Sequence, residues 1–292
     1  MRFKDLAVGA MLALALGGLS CPAAQAGIIN AGTEKLLVYE QPGPSTIALV
    51  FGDVSASIGF GTGDFDGGTA IFPGPYSPQS LFAGGNCPPA PACAIFGGDS
   101  LTLAGLDAEF PSGTYVLTGT NSVTLASQTV DVNYDSSFAS TAIPAFDAAT
   151  YTGLPSADPS LPFALSFNDF TPDAGSTSSG TVLDIFDSTR GRFIIETELA
   201  PSATSFVLNA GTLKSGHQYS YYLAFDEQAV ANSGGIITSD TSVTVTEEGF
   251  TAPGVLAVPE PSTWALMLTG GAAIGAAFRA SRRRGASPFA AA

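Results

Sequence analysis

Positive charge is scarce in this sequence: the 292 residues hold 10 Lys and Arg against 25 Asp and Glu, with a single His, three Cys and one Trp. Each shortage removes a class of function. Binding nucleic acid needs clusters of Lys and Arg that displace counterions from phosphates. Residues 27–258 offer only Lys35, Arg190, Arg192 and Lys214 against 23 acidic side chains, a net charge of −19. Nucleic acid is therefore excluded as a partner. A Ser–His mechanism would have to use His217, which stands between Gly216 and Gln218 with no elbow motif around any Ser, and a lone imidazole carries no triad geometry. It reads as a solvated turn residue. Zinc needs more His and Cys ligands than the chain supplies. A glycosidase needs only two carboxylates facing across a cleft; many are present, but no motif singles out a pair, and no enzymatic activity is expected.

The two ends read as targeting segments. Arg2 and Lys4 open a basic start, Leu6 to Leu19 form an apolar run, and Ala24-Gln25-Ala26 gives the small-x-small pattern of a cleavage site, so 1–26 is expected to be a signal peptide cut after Ala26. Export leaves Cys87 and Cys93, separated by PPAPA, in a compartment where a disulfide forms and persists. At the other end, Pro259 and Pro261 forbid regular structure and hold Glu260 in an extended, accessible backbone. An apolar stretch from about 264 to 278 follows, then Arg279, Arg282, Arg283 and Arg284. Such a stretch enters a bilayer as a single hydrophobic helix, with the arginines kept on the cytoplasmic side.

Val258-Pro259-Glu260-Pro261-Ser262-Thr263-Trp264-Ala265-Leu266-Met267-Leu268, with the apolar helix and Arg cluster in that order, resembles the PEP-CTERM sorting signal of exported bacterial proteins. The resemblance covers 258–292 and implies an exosortase-type processing enzyme as partner, which reads the triplet and removes the helix in cells that make exopolysaccharide. It also implies transient insertion in the inner membrane and a final place at the cell surface or in the extracellular matrix. A permanent membrane anchor is the alternative, at the short end of the spanning range.

Between these ends, 34 Gly and 20 Pro break up any long helix, and short apolar runs alternate with turn residues, as in an all-β protein of sandwich type. Strands are expected at 35–39, 46–51, 54–60, 100–103, 114–117 and 122–132, with a Gly/Pro-rich, least ordered stretch over 61–98. A second set is expected at 163–167, 181–186, 192–197, 204–208, 219–225 and 241–246. This gives two β-sandwich modules, 27–136 and 140–248, with a joint near 135–141 and a linker over 249–258. In the second module Tyr219, Tyr221, Leu223 and Phe225 fall on one face, and Leu213, Gly216 and Tyr219 are spaced as in a tyrosine corner. That module resembles a fibronectin type III or immunoglobulin-like sandwich, with Phe167 near the place of the usual Trp. The resemblance implies a fold and no function.

Small sites are few. Asp64 and Asp66 precede Gly67-Gly68, a turn that brings two carboxylates toward Ca²⁺. Calcium takes six to eight oxygens, and Phe72 and Pro73 occupy the positions where a closing Glu would stand, so an ordinary Asp-Gly turn is the competing reading. Tyr76, Tyr115, Tyr151 and Tyr222 are candidate platforms for sugar rings, with packing as the alternative for each. The expected function is a structural or adhesive protein of the cell surface or exopolysaccharide matrix. A carbohydrate-binding module, and then a hydrolase of extracellular polymer, are the alternatives.

Overall fold

Two long antiparallel hairpins organise the molecule. In the computed structural model, which describes residues 27–61, 63–85, 90, 92–138 and 142–254, strand β1 (Ile28–Gly43) turns into β2 (Thr46–Phe60) through Pro44-Ser45. Near the other end of the described chain, β12 (Gln218–Ser233) turns into β13 (Ile236–Thr251) through Gly234-Gly235. Both glycines have positive φ, 61° and 93°, the conformation a two-residue hairpin turn requires and glycine adopts without steric cost.

Between the hairpins lie β3 (Gly67–Ile71), β4 (Gln79–Gly85), β5 (Ala92–Ser100), helix α1 (Leu103–Glu109), β6 (Gly113–Thr120) and β7 (Ser127–Tyr134). Then come α2 (Ala148–Gly153), a 3₁₀ turn (Leu154–Ser156), β8 (Phe163–Ser166), β9 (Ser178–Asp187), β10 (Arg192–Leu199) and β11 (Ser205–Leu208). Eleven strands form one sheet in the order β10-β9-β12-β13-β1-β2-β5-β4-β3-β6-β7, and β11-β8 form a second. The all-β expectation holds.

The two hairpins are joined by parallel pairing of β1 with β13, in unbroken register from Asn30 opposite Ile237 to Glu40 opposite Glu247. The halves read as separate modules therefore share one sheet, and the described residues up to Pro253 form one compact unit. Each half keeps its own core. In the first, Ile58, Phe72, Phe96, Leu106, Tyr115 and Val132 pack together, with Phe72 stacked on Phe96 and Tyr115 at 5.3 and 4.9 Å. In the second, Tyr219, Tyr221 and Leu223 of β12 pack on Leu165, Leu183, Ile185 and Phe146. A third apolar cluster, Leu36, Tyr222, Ala224, Val243 and Val245, lies on the opposite face of the central strands.

Local sequence explains where strand expectations shift. The runs 46–51 and 54–60 are one strand, since Gly52 and Asp53 continue the β1 register. The strand expected at 100–103 ends at Ser100, because the Thr102 hydroxyl accepts from Gly105 N at 3.1 Å and starts α1. The strand expected from 122 starts at Ser127. Residues 121–126 form a loop in which Asn121 Oδ1 accepts from Val123 N and Thr124 N, leaving Val123 and Leu125 exposed. The stretch 61–98, expected to be least ordered, supplies β3, β4 and most of β5.

The tyrosine corner forms as the spacing indicates: Lys214 N donates to the Tyr219 hydroxyl at 2.8 Å, Gly216 has φ 76°, and Leu213 is buried. The likeness to a fibronectin module rests on this corner. Four strands of that half continue into the sheet of the other, and only the β8–β11 pair stands as a separate sheet. Tyr219→Phe keeps the ring stacked on Phe250 at 5.3 Å but leaves the Lys214 amide without its acceptor. We expect a loss of about 1 kcal/mol of stability by urea denaturation; an unchanged midpoint would mean the bond contributes nothing.

Candidate functional site: an acidic row beside an open cleft

The described acids and cysteine singled out by sequence are spent on structure. The Asp66 carboxylate accepts from Ser122 N at 3.0 Å and from the Ser122 hydroxyl, bonds that hold it below the usual carboxylate range. Asp64 Oδ2 accepts from Gly27 N at 2.9 Å. The two acids thus tie the 121–126 loop and the start of β1 to the turn, and no group of three or more metal-ligating His, Cys, Asp or Glu occurs among the described residues. Cys93 is disulfide-bonded and buried; Cys87 lies outside the described residues. So do Pro259, Glu260, Pro261, Arg279, Arg282, Arg283 and Arg284, together with the expected apolar helix and signal peptide. No described helix is long and apolar enough to cross a membrane.

His217 is more constrained than a solvated turn residue. Its Nδ1 lies 2.9 Å from Oδ2 of Asp187, which is 1% exposed. Burial alone would raise the Asp187 pKa; the bonds from His217, Arg190 N and Thr189 N outweigh it and bring the pKa below its ordinary value. The pair braces the β9–β10 turn against the entry to β12. Of the four tyrosines, Tyr115 is fully buried, Tyr76 is exposed, Tyr151 packs at the margin of the second core, and Tyr222 lines a cleft.

That cleft, about 710 Å³, opens where β12, β13 and β1 run side by side, and its walls include Glu40, Ser220, Tyr222, Glu247 and Glu248. Alternation along the strands puts Glu40, Tyr222 and Glu247 on the face opposite the two main cores. The register extends them into a row: Glu196 of β10 opposes Asp184 of β9, which opposes Tyr222 of β12, then Glu247 of β13, then Glu40 of β1. Four carboxylates thus cross five adjacent strands with one tyrosine at the centre. Farther along the same face, Val182, Ala224, Val245 and Val38 form an apolar band, and beyond it Asp53 pairs with Asp99 while Asp226 is separated from them by Val243 and Leu36.

Like charges facing each other across strands are unfavourable, and the pKa values show it. Burial, then the neighbouring Glu196, pushes Asp184 up to about 6. Burial, then Glu40 and Glu248, raises Glu247. Burial with Asp99 takes Asp53 to about 6, burial with Asp53 takes Glu34 to about 7, and burial with Glu198 takes Asp226 to about 6. Sequence reasoning singled out Tyr222 but missed the carboxylates beside it. The alternating acids of the strands, such as Glu196 and Glu198, were visible, but nothing in the sequence says which strands lie side by side.

Comparison with known proteins identifies the C-terminal segment. Residues 257–284 match the family model for the PEP-CTERM protein-sorting motif. The chain carries a sorting signal. The match spans the Pro-Glu-Pro triplet, the apolar stretch and the Arg cluster, and it marks the chain as an exported protein. No curated protein sequence matches the chain. A solved structure described as "Biofilm associated protein - BSP domain" is similar at 13% identity over 79% of this chain and 30% of that one, with a TM-score of 0.22. The chain thus spans less than a third of that protein.

The raised carboxylates set a pH dependence. Because their folded pKa values exceed the unfolded ones, the folded state holds protons that the unfolded chain has released. The resulting stabilisation is present below about pH 4 and is lost as pH rises through about 6 to 7, the range of Asp53, Asp184, Asp226, Glu34 and Asp240. The lowered carboxylates, Asp66, Asp135, Asp158 and Asp187, act only below that window. We expect the melting temperature to fall between pH 5 and pH 8, and Asp53→Asn to flatten the slope; a rise over the same interval would contradict this account.

Proposed function

We propose that this protein is a non-catalytic structural or adhesive component of the cell surface or exopolysaccharide matrix, delivered by its C-terminal signal. The observation that carries the proposal is the sorting motif at 257–284, with Pro259-Glu260-Pro261 as the processing triplet. An exosortase-type enzyme reads the triplet while the apolar stretch is in the membrane and the four arginines hold its far end. The body fits a role outside the cell: it is acidic, which keeps it soluble, and it carries a disulfide. Its one imidazole is engaged with Asp187.

A second reading, a carbohydrate-binding module, is favoured by one observation, the open cleft in which Tyr222 lies among carboxylates and hydroxyls. The two readings are compatible, since a matrix protein is held in place by what it binds.

Intact mass of the protein recovered from the surface and medium of its native cells tests the delivery. The expected product ends near Pro261 and lacks the 264–292 peptide, and Glu260→Ala, or alanine at both prolines, should leave the full-length chain in the membrane fraction. A wild-type chain that keeps its C terminus at Ala292 in that fraction would make the segment a permanent anchor instead.

A further inference from the structure

We propose that Lys35 and Asp107 condense into an amide, so that the mature protein carries an internal covalent cross-link between β1 and α1. The sequence holds two lysines between residues 27 and 258. Lys214 is exposed, as lysines normally are, whereas Lys35 is 2% exposed and among the largest fully buried side chains. Its Nζ lies 2.8 Å from Asp107 Oδ1 and 2.7 Å from the Ser136 carbonyl oxygen. The two bonds place the nitrogen beside Cγ of Asp107, the atom to which an amide bond would be made.

The surroundings hold more than an ion pair requires. Tyr134 is 3% exposed, and its hydroxyl has no hydrogen-bond partner. Burial, then Tyr115 and the carboxylates of Asp240, Asp107 and Asp135, raises its pKa, so the phenol keeps its proton. An unpaired buried donor is costly as structure, but a donor held ready beside a carboxyl is what a developing oxyanion needs. Asp240, 7% exposed, accepts from the Thr33 hydroxyl and the Asp135 amide, both at 2.9 Å. Burial lifts its pKa to about 7 in spite of those bonds, so near neutral pH it can take up a proton and return it. A neutral amide also costs less to keep inside a protein than a charged pair.

The step balances without a co-reactant. A proton passes from the Lys35 ammonium along its hydrogen bond to Asp107, giving an amine and a carboxylic acid. The Nζ lone pair then attacks Cγ, and the oxyanion that forms accepts from the Tyr134 hydroxyl. A second proton moves from Nζ to the acid's OH with Asp240 as relay, the C–O bond breaks, and water leaves behind a neutral Nζ–Cγ amide. Asp107 is 37% exposed, which gives the water an exit. Groups fixed in contact reach effective concentrations of roughly 10⁵ M and above, which drives a condensation that free amines and carboxylates in water do not complete. The link ties β1, at its seam with β13, to the helix whose Leu106 is buried in the first core.

The test is the mass of the purified full chain after reduction and denaturation, followed by digestion with a protease that cuts at aromatic residues. The chain should be lighter than its sequence by one water, and the digest should contain a branched peptide joining Lys35 to Asp107. Lys35→Met and Asp107→Ala should each restore the full mass. Tyr134→Phe removes a hydroxyl that has no partner, so it should fold and form the Cys93 disulfide, yet link at least ~10-fold more slowly during cell-free synthesis. A wild-type chain at full mass would leave Lys35 and Asp107 an ion pair and overturn the proposal. So would a water loss that persists in Lys35→Met, or one that maps to Asp66-Gly67 as a succinimide. Linking of Tyr134→Phe at the wild-type rate would overturn the role given to the phenol.

Discussion

The parallel pairing of β1 with β13 is the constraint on which the rest of this structure depends. It places the first and last strands of the described body side by side, over eleven register pairs without a bulge, and so makes one sheet of two hairpins far apart in the chain. Non-local pairing of this kind must offset a large loop-closure cost before it contributes anything. Both strands are long, and the interior groups around their seam are tied together. Lys35, 2% exposed, donates to Asp107 at 2.8 Å and to the Ser136 carbonyl at 2.7 Å. Thr33 and the Asp135 amide both donate to Asp240 at 2.9 Å. Gln41 gives its amide to the Phe146 carbonyl and accepts from the Phe146 amide and the Tyr221 hydroxyl.

These contacts explain why the segment after β7 is not a free joint. A buried charge or amide without partners costs several times what a satisfied one contributes, so Lys35, Asp240 and Gln41 hold Ser136, Asp135 and Phe146 against the sheet. The same rule operates in reverse on the outer face. There the acids face one another, with a backbone amide from Thr197 for Asp184 and from Gly180 for Asp226, and protons are retained to higher pH. The inner face of the sheet thus pairs Lys35, Asp240 and Gln41 internally but leaves Glu227 Oε1 and Thr244 Oγ1 without partners, whereas the outer face sets carboxylates beside one another.

Much of the fold was legible in the sequence. The alternation of Tyr219, Tyr221, Leu223 and Phe225 identified their shared buried face, and the Leu213, Gly216, Tyr219 spacing identified the corner, because both depend on contacts close in the chain. What was not legible depends on partners far away. The strength of β1 and β13 as neighbours does not show in either segment, so the chain read as two modules. The glycine-rich stretch 61–98 read as loosely ordered because Gly weakens a strand locally. In the folded sheet Gly68 lies against the backbone of β6, where an added Cβ would sit 2.1 Å from the Thr118 carbonyl oxygen, so small residues are what let these strands approach. The acidic row failed to register for the same reason as the β1–β13 seam: Glu40 and Glu247 are more than two hundred positions apart and become neighbours only through the sheet.

The direction of β1 and β13 has a mechanical meaning. Because the strands run the same way, the chain enters the sheet at one end of the pair, at Ile28, and leaves it at the other, at Thr251. A pull between those two points drags the strands past each other along their length, and every hydrogen bond of the seam is loaded at once rather than opened in sequence like a zip. A protein held by its C-terminal side and tugged through its opposite end by flow or by a neighbouring cell is thereby loaded along its most resistant axis, with the long hairpins on either side acting as splints.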